Sequence, residues 1–550
     1  MAKWEASCII RTVIRFFVCG VAAWCAILAA APAPDVVLEL HDFVEFPITG
    51  KLDGTGQTDG ILARINSLRE EPGGAARFFV NDLNGPLYIV DKATRRISTY
   101  LDFNGREGHH GLFHKFAYET GWANGLNTVQ FDPDYRTNGK FYTVHIEDPS
   151  LPGSNLPDIG GCPGLKIDGY STTAPIVTPG TIQREGVLIE WTDSNPSNAT
   201  FEGTARELMR LQLNTRIHPL ADLQFNPTAR RGDSEWRVLY IGSGDGGSGE
   251  SRLGMRPNPQ RLDTLVGKIL RIVPDLSEHT ATSSVSANGR YRIPNDNPFV
   301  DVESAKREIW AYGFRNPARL HFAIDPDNPA NNRLIANSIG LHTWETVNIV
   351  HKGANYGYSQ REGNEALLIS NKTTKLPGED RIPVQISDTM THGTVTPTYP
   401  VIQYGHVPGG GDAIGTGFLY RGTRLPALRG KYVFTDISTG RVWFADYREM
   451  LAADDGKPET MAAMHEIKIR WDDPHDAPDG GMRLYDTIFP VAEATYHFRG
   501  GKSARLPGIA LVSGNGRADA HLAVDGAGEP YVFTKTDGVL RIVTAATTGS

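Results

Sequence analysis

One local pattern recurs six times along the chain: an apolar strand, a polar turn built from Asp, Asn, Gly or Pro, and a second apolar strand. The units occupy residues 76–100, 129–146, 223–244, 320–340, 428–447 and 522–543. Alternating apolar residues flanking such turns read as β-hairpins, because the turn residues supply the backbone angles that reverse a strand. The 59 glycines and 35 prolines of the 550 residues punctuate the chain in the same way and leave little room for long helices. Repeated hairpins over some 500 residues, with no linker between them, predict an all-β fold. The expectation is a single six-bladed β-propeller over residues 32–550. A set of β-sandwiches would show linkers, and none is visible. Two stretches, 148–187 and 364–400, read as long loop insertions able to shape a pocket rim.

Residues 1–31 read as a secretory signal. Lys3, Arg11 and Arg15 precede an apolar run from Phe16 to Ala31 that ends in small residues. The run of 16 residues falls short of the roughly 20 a spanning helix needs. Bulky Trp24 before Cys25 argues against a lipoprotein signal. The expected location is periplasmic or secreted, with no stable membrane span. Cleavage removes three basic side chains and Glu5 and moves the formal charge from −8 to −10, which disfavours nucleic acid as a partner. Cys162 alone remains of the four cysteines, so no intrachain disulfide is available. No C-x-x-C-H haem site occurs, so electrons from any oxidation must leave through a separate acceptor such as a cytochrome or quinone.

The chemistry-bearing residues fall in fixed order. His218 lies in TRIHPLADLQF, Asp245 on the glycine turn of LYIGSGDGG, and Arg315 and Asn316 in GFRNPARLHF. The segment from Asn337 to Tyr358 follows. A base, a carboxylate on a glycine turn and a guanidinium suit an oxidoreductase site. An imidazole titrates near working pH and takes a hydroxyl proton, and a carboxylate fixes its tautomer. The histidines 109, 110 and 114 suggest a metal cluster at first glance, with His110 and His114 spaced for one helical face, but no third ligand of equal clarity accompanies them. WDDPHDAPDGG, from Trp471, is an acid-rich segment with a weaker claim on a cation.

The blocks NGLNTVQFDPDYRTNGKFY, LYIGSGDGG, LVGKILRIVPD, IPNDNPF, REIWAYGFRNPARLHF, TWETVNIVHKGANYGY and GTGFLYRGTRLPALRGKYVFTD run in order from Asn124 toward the C-terminus. Together they resemble the soluble glucose/sorbosone dehydrogenases, six-bladed propellers that use pyrroloquinoline quinone (PQQ) and Ca²⁺. The resemblance implies PQQ-dependent oxidation of a sugar or polyol hydroxyl. In it His218 is the general base and Asp245 the carboxylate that orients it. Arg315, Asn316, Glu345 and, in GNGRADAHL, Arg517 fall at cofactor-binding positions, and the carbonyls of Gly340 and Leu341 at the Ca²⁺ site. Backbone oxygens suit Ca²⁺, and the three carboxylates of PQQ call for cationic contacts.

The chain also departs from that pattern. Ala123 stands where the glucose enzymes carry a polar sugar contact, and Ile217 where they carry an acid. No lysine precedes Arg421 in its block, and His406 is the nearest alternative cation. These departures leave two other readings open, a Ca²⁺-dependent lactonase-like hydrolase and a non-catalytic binding propeller like the related domain of hedgehog-interacting proteins.

Overall fold

The computed structural model describes residues 36–548, apart from 55–58, 74–75, 119–122, 252–253, 476–480, 511, 513 and 515. The proposed signal segment lies outside the described residues. Six four-stranded antiparallel units follow one another along the chain. The first comprises Ile65–Glu70, Arg77–Asp82, Pro86–Asp91 and Ile97–Asp102. The second comprises Leu126–Phe131, Lys140–Glu147, Arg184–Asp193 and Gly203–Leu213. Leu220–Phe225, Leu239–Ser243, Lys268–Ile272 and Ile309–Tyr312 form the third. Asn316–Ala323, Arg333–Ile339, Trp344–Ile349 and Ile402–Gly405 form the fourth. Ile414–Leu419, Lys431–Asp436, Val442–Asp446 and His465–Trp471 form the fifth.

The sixth unit closes the ring. Ala520–Val524, Pro530–Thr534 and Val539–Thr548 take their fourth strand from the other end of the chain, Val36–Glu45, which pairs antiparallel with Val539–Thr548. The same strand pairs in parallel with His465–Trp471, so the outer edges of the fifth and sixth units are joined. Joining the ends of the chain in one sheet removes an exposed edge. The first strand of each unit packs against the first strand of the next, and that of the sixth against that of the first. This ring of six is a six-bladed propeller, and each of the six hairpin units read from the sequence lies in a separate blade.

Alternate faces of each blade pack on its neighbours. Between the first and second blades Phe79, Tyr100, Phe131, Phe141, Trp191 and Phe201 form one buried cluster, with Trp191 stacked on Phe141 at 6.0 Å. Aromatic side chains of this kind each withdraw about 150–250 Å² from water, so a few of them dominate such an interface.

The insertions leave the blade edges. Residues 148–183 separate the second and third strands of blade two, residues 184–187 of the expected insertion belonging to the third strand, and Leu165–Lys166 adds to that blade's outer edge. Residues 364–400 separate the third and fourth strands of blade four and include the hairpin Ile382–Gln385 with Thr391–Val395. The segment 109–114 is not helical, so His110 and His114 do not share a helix face. His114 instead bonds the Gly105 carbonyl at 2.9 Å and approaches Asp158 at 3.5 Å. Among the described residues no cluster of His, Cys, Asp and Glu has the makings of a metal site, and no helix is long and apolar enough to cross a membrane. Part of the acid-rich segment, residues 476–480, lies outside the described residues.

Candidate active site

The innermost strands all start at the same end of the propeller axis, and the residues at those starts meet there. Arg64 precedes Ile65–Glu70, and Asn127 lies in the first turn of Leu126–Phe131. His218 precedes Leu220–Phe225, and Asn316 opens the fourth blade. Ala413 and Asp519 precede the last two inner strands. All of these line one central cavity, together with Arg315, Gly340, Leu341 and Arg517. Positions far apart in the chain are thus brought together by the ring.

His218 and Asp245 form a hydrogen-bonded pair. The imidazole Nδ1 lies 2.7 Å from Asp245 Oδ1. Asp245 is fully buried, and its two oxygens also accept the Gly247 and Gly249 amides, each at 2.8 Å. Burial alone would raise its pKa, but His218, the Arg315 charge and these amides hold it below the usual carboxylate range. A carboxylate at Nδ1 calls for the proton there, which leaves Nε2 as the basic nitrogen. His218 adopts φ 53°, a left-handed conformation that a non-glycine residue takes only when its surroundings enforce it. The glycine turn does the enforcing. Gly246 donates to the His218 carbonyl at 2.9 Å, and Asp245 donates to the Arg315 carbonyl at 2.7 Å. A Cβ at Gly244 would stand 2.4 Å from the His218 carbonyl oxygen, so only glycine lets the two segments pass.

The loop carrying Gly340 and Leu341 is held from behind by Glu362. Its Oε1 accepts the amides of Leu341, His342, Thr343 and Trp344 at 2.7–3.2 Å. In a trans peptide the carbonyl points opposite to the following amide. The carbonyls of Gly340 and Leu341 are therefore turned away from Glu362, and both residues line the cavity. Arg315 donates to the Gly340 carbonyl and lies 3.4 Å from Glu250. A Cβ at Gly340 would meet the Trp344 carbonyl oxygen at 1.8 Å, so the loop requires glycine.

Glu345, which the resemblance placed at a cofactor-binding position, lies against the Gly340 loop. It does not line the cavity. Its carboxylate accepts Gly340 N at 3.0 Å and Ile414 N at 2.8 Å and bonds His406 Nε2 at 2.7 Å, so it braces the loop. His406 is spent on this pair and supplies no cation to the cavity. Arg517 does line the cavity, bonded through Nε to Asp519 at 3.0 Å. Asn316 lines it too, with its Oδ1 buried and without a partner.

The cavity holds more charge than the motifs announced. Arg64, Arg315, Arg319, Arg517 and Lys535 line it, against the carboxylates of Asp412 and Asp519. Burial pushes Arg64 and Arg319 down to about 10 and Lys535 down to about 7. Removing cations from water costs free energy unless an anion compensates, so the excess of positive charge marks an anion-binding cavity. Ala123 and Ile217, the two departures, also line it, Ile217 next to His218 in the chain. Arg64 and Lys535 lie outside the blocks that carry the resemblance, and Glu362 follows the Tyr358 end of one, so no motif signalled them. Their only trace in the sequence is a charge flanking an apolar strand.

The glucose/sorbosone dehydrogenase family matches residues 229–485. HIPL1 protein of Arabidopsis thaliana is 25% identical over 389 residues, 68% of this chain and 51% of the relative. The chain thus spans about half the length of that relative. Aldose sugar dehydrogenase YliI of Escherichia coli is 38% identical over 103 residues, 19% of this chain and 22% of the relative. Among solved structures, the soluble aldose sugar dehydrogenase of Escherichia coli aligns at TM-score 0.49 and 16% identity, over 93% of this chain and 99% of that one. The PQQ-bound aldose sugar dehydrogenase of Streptomyces coelicolor aligns at 0.45 and 16%, over 91% and 97%. The family match bears out the resemblance read from the motifs.

Proposed function

We propose that this propeller, similar over residues 229–485 to the glucose/sorbosone dehydrogenases, oxidises a hydroxyl of a sugar or polyol with PQQ as hydride acceptor. The observation that carries the reading is the His218–Asp245 pair on the wall of a cavity with excess positive charge. The residues present fit the cofactor. PQQ is a planar tricarboxylate, and the cavity supplies guanidinium and ammonium groups in excess of acids. The Gly340 and Leu341 carbonyls suit Ca²⁺, which takes oxygen ligands and tolerates backbone ones. When bound, Ca²⁺-polarised PQQ supplies the electrophilic carbon that receives the hydride.

The protein's own part is proton removal and orientation. His218 Nε2 accepts the substrate hydroxyl proton as general base. Asp245 keeps the proton on Nδ1 and stabilises the imidazolium once it forms. Arg315 and Asn316 hold the cofactor's polar edge, and Arg517 contributes a further cation. Glu345 and Glu362 position the Gly340 loop from behind. The reading includes residues 1–31 as a secretory signal, a periplasmic or secreted location and a separate electron acceptor.

The test is titration of the metal-stripped full-length protein with PQQ and Ca²⁺, followed by absorbance and by dye reduction with a panel of aldoses and polyols. Stoichiometric, Ca²⁺-dependent PQQ binding with sugar-dependent dye reduction that His218→Ala abolishes is the expected result. No PQQ binding at saturating Ca²⁺ sinks the reading and leaves a hydrolase or a binding propeller.

A further inference from the structure

The wall of the cavity formed by blades six and one carries polar groups that the dyad and the Gly340 loop do not use. Lys535 follows Pro530–Thr534 and is more than nine-tenths buried. Among the described residues its ammonium has no hydrogen bond and no ion pair at salt-bridge distance, although Asp519 lies close enough to influence it. An ammonium carries three donors, so leaving it bare in a buried wall is costly. His521, in the inner strand of the same blade, is fully buried, and both of its ring nitrogens lack partners. Its ring stacks on Phe533, with centroids 5.4 Å apart, and the residue lines the cavity.

Arg64 and Arg319 face the same space. Arg319 reaches from blade four to blade one, donating to the Asn66 backbone and side-chain oxygens at 3.0 and 2.9 Å, while its Nε stays without a partner. The acid of this wall, Asp519, already accepts from Arg517. Four donor-bearing side chains therefore converge on a space whose acid is engaged elsewhere, and the missing component is an anion.

We propose that Lys535 and His521, with Arg64 and Arg319 beside them, form a subsite for one carboxylate group of the molecule that fills the central cavity. It deepens the proposed function: if PQQ is that molecule, the carboxylate is one of its own. The bare Lys535 ammonium donates to the carboxylate oxygens, and His521 adds a neutral N–H. The guanidiniums supply the field that draws the anion in. A lysine on a blade-six strand thereby does the work of a cation that the block ending at Arg421 lacks.

The full-length protein is titrated with two probes, PQQ and benzene-1,3,5-tricarboxylate, a planar redox-silent tricarboxylate, with binding read by calorimetry. Lys535→Met and His521→Phe are compared with the unaltered protein, and melting temperature is recorded without any ligand. The expected result is at least tenfold weaker binding of both probes to Lys535→Met, with an unchanged or raised melting temperature, because an uncompensated buried charge has been removed. A lysine that merely supports the fold would lower the melting temperature and leave binding alone. Affinities within twofold of the unaltered protein, or binding of neither probe by the unaltered protein, overturn the subsite. Binding of the tricarboxylate but not PQQ, still dependent on Lys535, keeps the subsite and sinks the quinone reading. Binding of PQQ regardless of Lys535 and His521 does the reverse.

Discussion

Replacing Asp245 with asparagine tests the dyad at its narrowest point. The carboxylate receives three donors: His218 Nδ1–H, Gly247 N–H and Gly249 N–H. Asparagine offers one oxygen and one amide nitrogen. With the oxygen toward His218 and Gly247, the amide hydrogens oppose Gly249 N–H. In the other orientation they face His218 Nδ1, and the imidazole must carry its proton on Nε2, where it is no longer a base. A hydrogen bond to a charged group is worth about 1.5–3 kcal/mol, and each 1.4 kcal/mol is tenfold. The expected loss is therefore on the order of 10²-fold in kcat, within the range of general base catalysis. KM should change less than threefold, because Asp245 is fully buried and acts through His218. The assay is dye reduction by the PQQ- and Ca²⁺-loaded protein, with thermal melts to confirm folding. Because Asp245 acts only through His218, the double variant Asp245→Asn, His218→Gln should be no slower than His218→Gln alone. Multiplicative losses, or a single-variant loss under threefold, would refute the argument.

Three further outcomes follow from the surrounding geometry. Gly340→Ala places a Cβ 1.8 Å from a backbone oxygen, so the loop must shift, and Ca²⁺-dependent stabilisation in thermal melts should be lost; retention of it would show that the loop carbonyls are not ligands. Glu362→Gln weakens the shared acceptor for four amides and should cost about 2 kcal/mol in urea unfolding, with no effect expected if the nest is incidental. Lys535 is held at about 7, below its ordinary 10.5, by burial; Arg64, Arg319, Arg517, Asp519 and His521 face it. Between those values the unfolded chain binds the proton and the folded chain does not, so its contribution to stability rises with pH from about 7 to 10.5 and is most adverse below 7. Benzene-1,3,5-tricarboxylate should accordingly raise the melting temperature more at pH 6 than at pH 9, and equal increments would contradict this.

The architecture was legible because a propeller repeats its local signal: each blade contains a hairpin with apolar strands and Asp/Gly turns, and six hairpins were countable. The closing strand Val36–Glu45 was not, since its partners lie some 500 residues away and nothing local marks that pairing. His218, Asp245 and Arg315 were legible because a glycine turn and an Arg-Asn-Pro segment leave a local trace. Glu345 was placed with the cofactor because its segment matched, but its neighbours' amides and His406 decide where its charge goes, and those contacts are tertiary. The helical reading of His110 and His114 failed because i, i+4 spacing has meaning only on a helix, and Gly108 and Gly111 flank a turn there. Arg64, His521 and Lys535 carry no motif because a cation needs no particular neighbours in sequence to face a channel.

The cavity lining mixes apolar residues with buried charges, and the mixture bears on what can react there. Ala123, Ile217 and Ala221 are among its apolar residues, Ile217 next to His218 in the chain, and Arg64, Arg315, Arg319, Arg517 and Lys535 supply the charge. On the proposed reading a charged, planar ligand is drawn to these cations, where its carboxylates offset buried positive charge. The substrate would then meet His218 next to Ile217. A sugar hydroxyl pressed on Ile217 would lose water without gaining a partner, at a cost of about 1–3 kcal/mol. A substrate that presents a carbon–hydrogen face there escapes this penalty. On that reading Ile217, one of the two departures from the pattern of the resemblance, favours a less hydroxylated face beside the base, while leaving the dyad and the charge of the cavity intact.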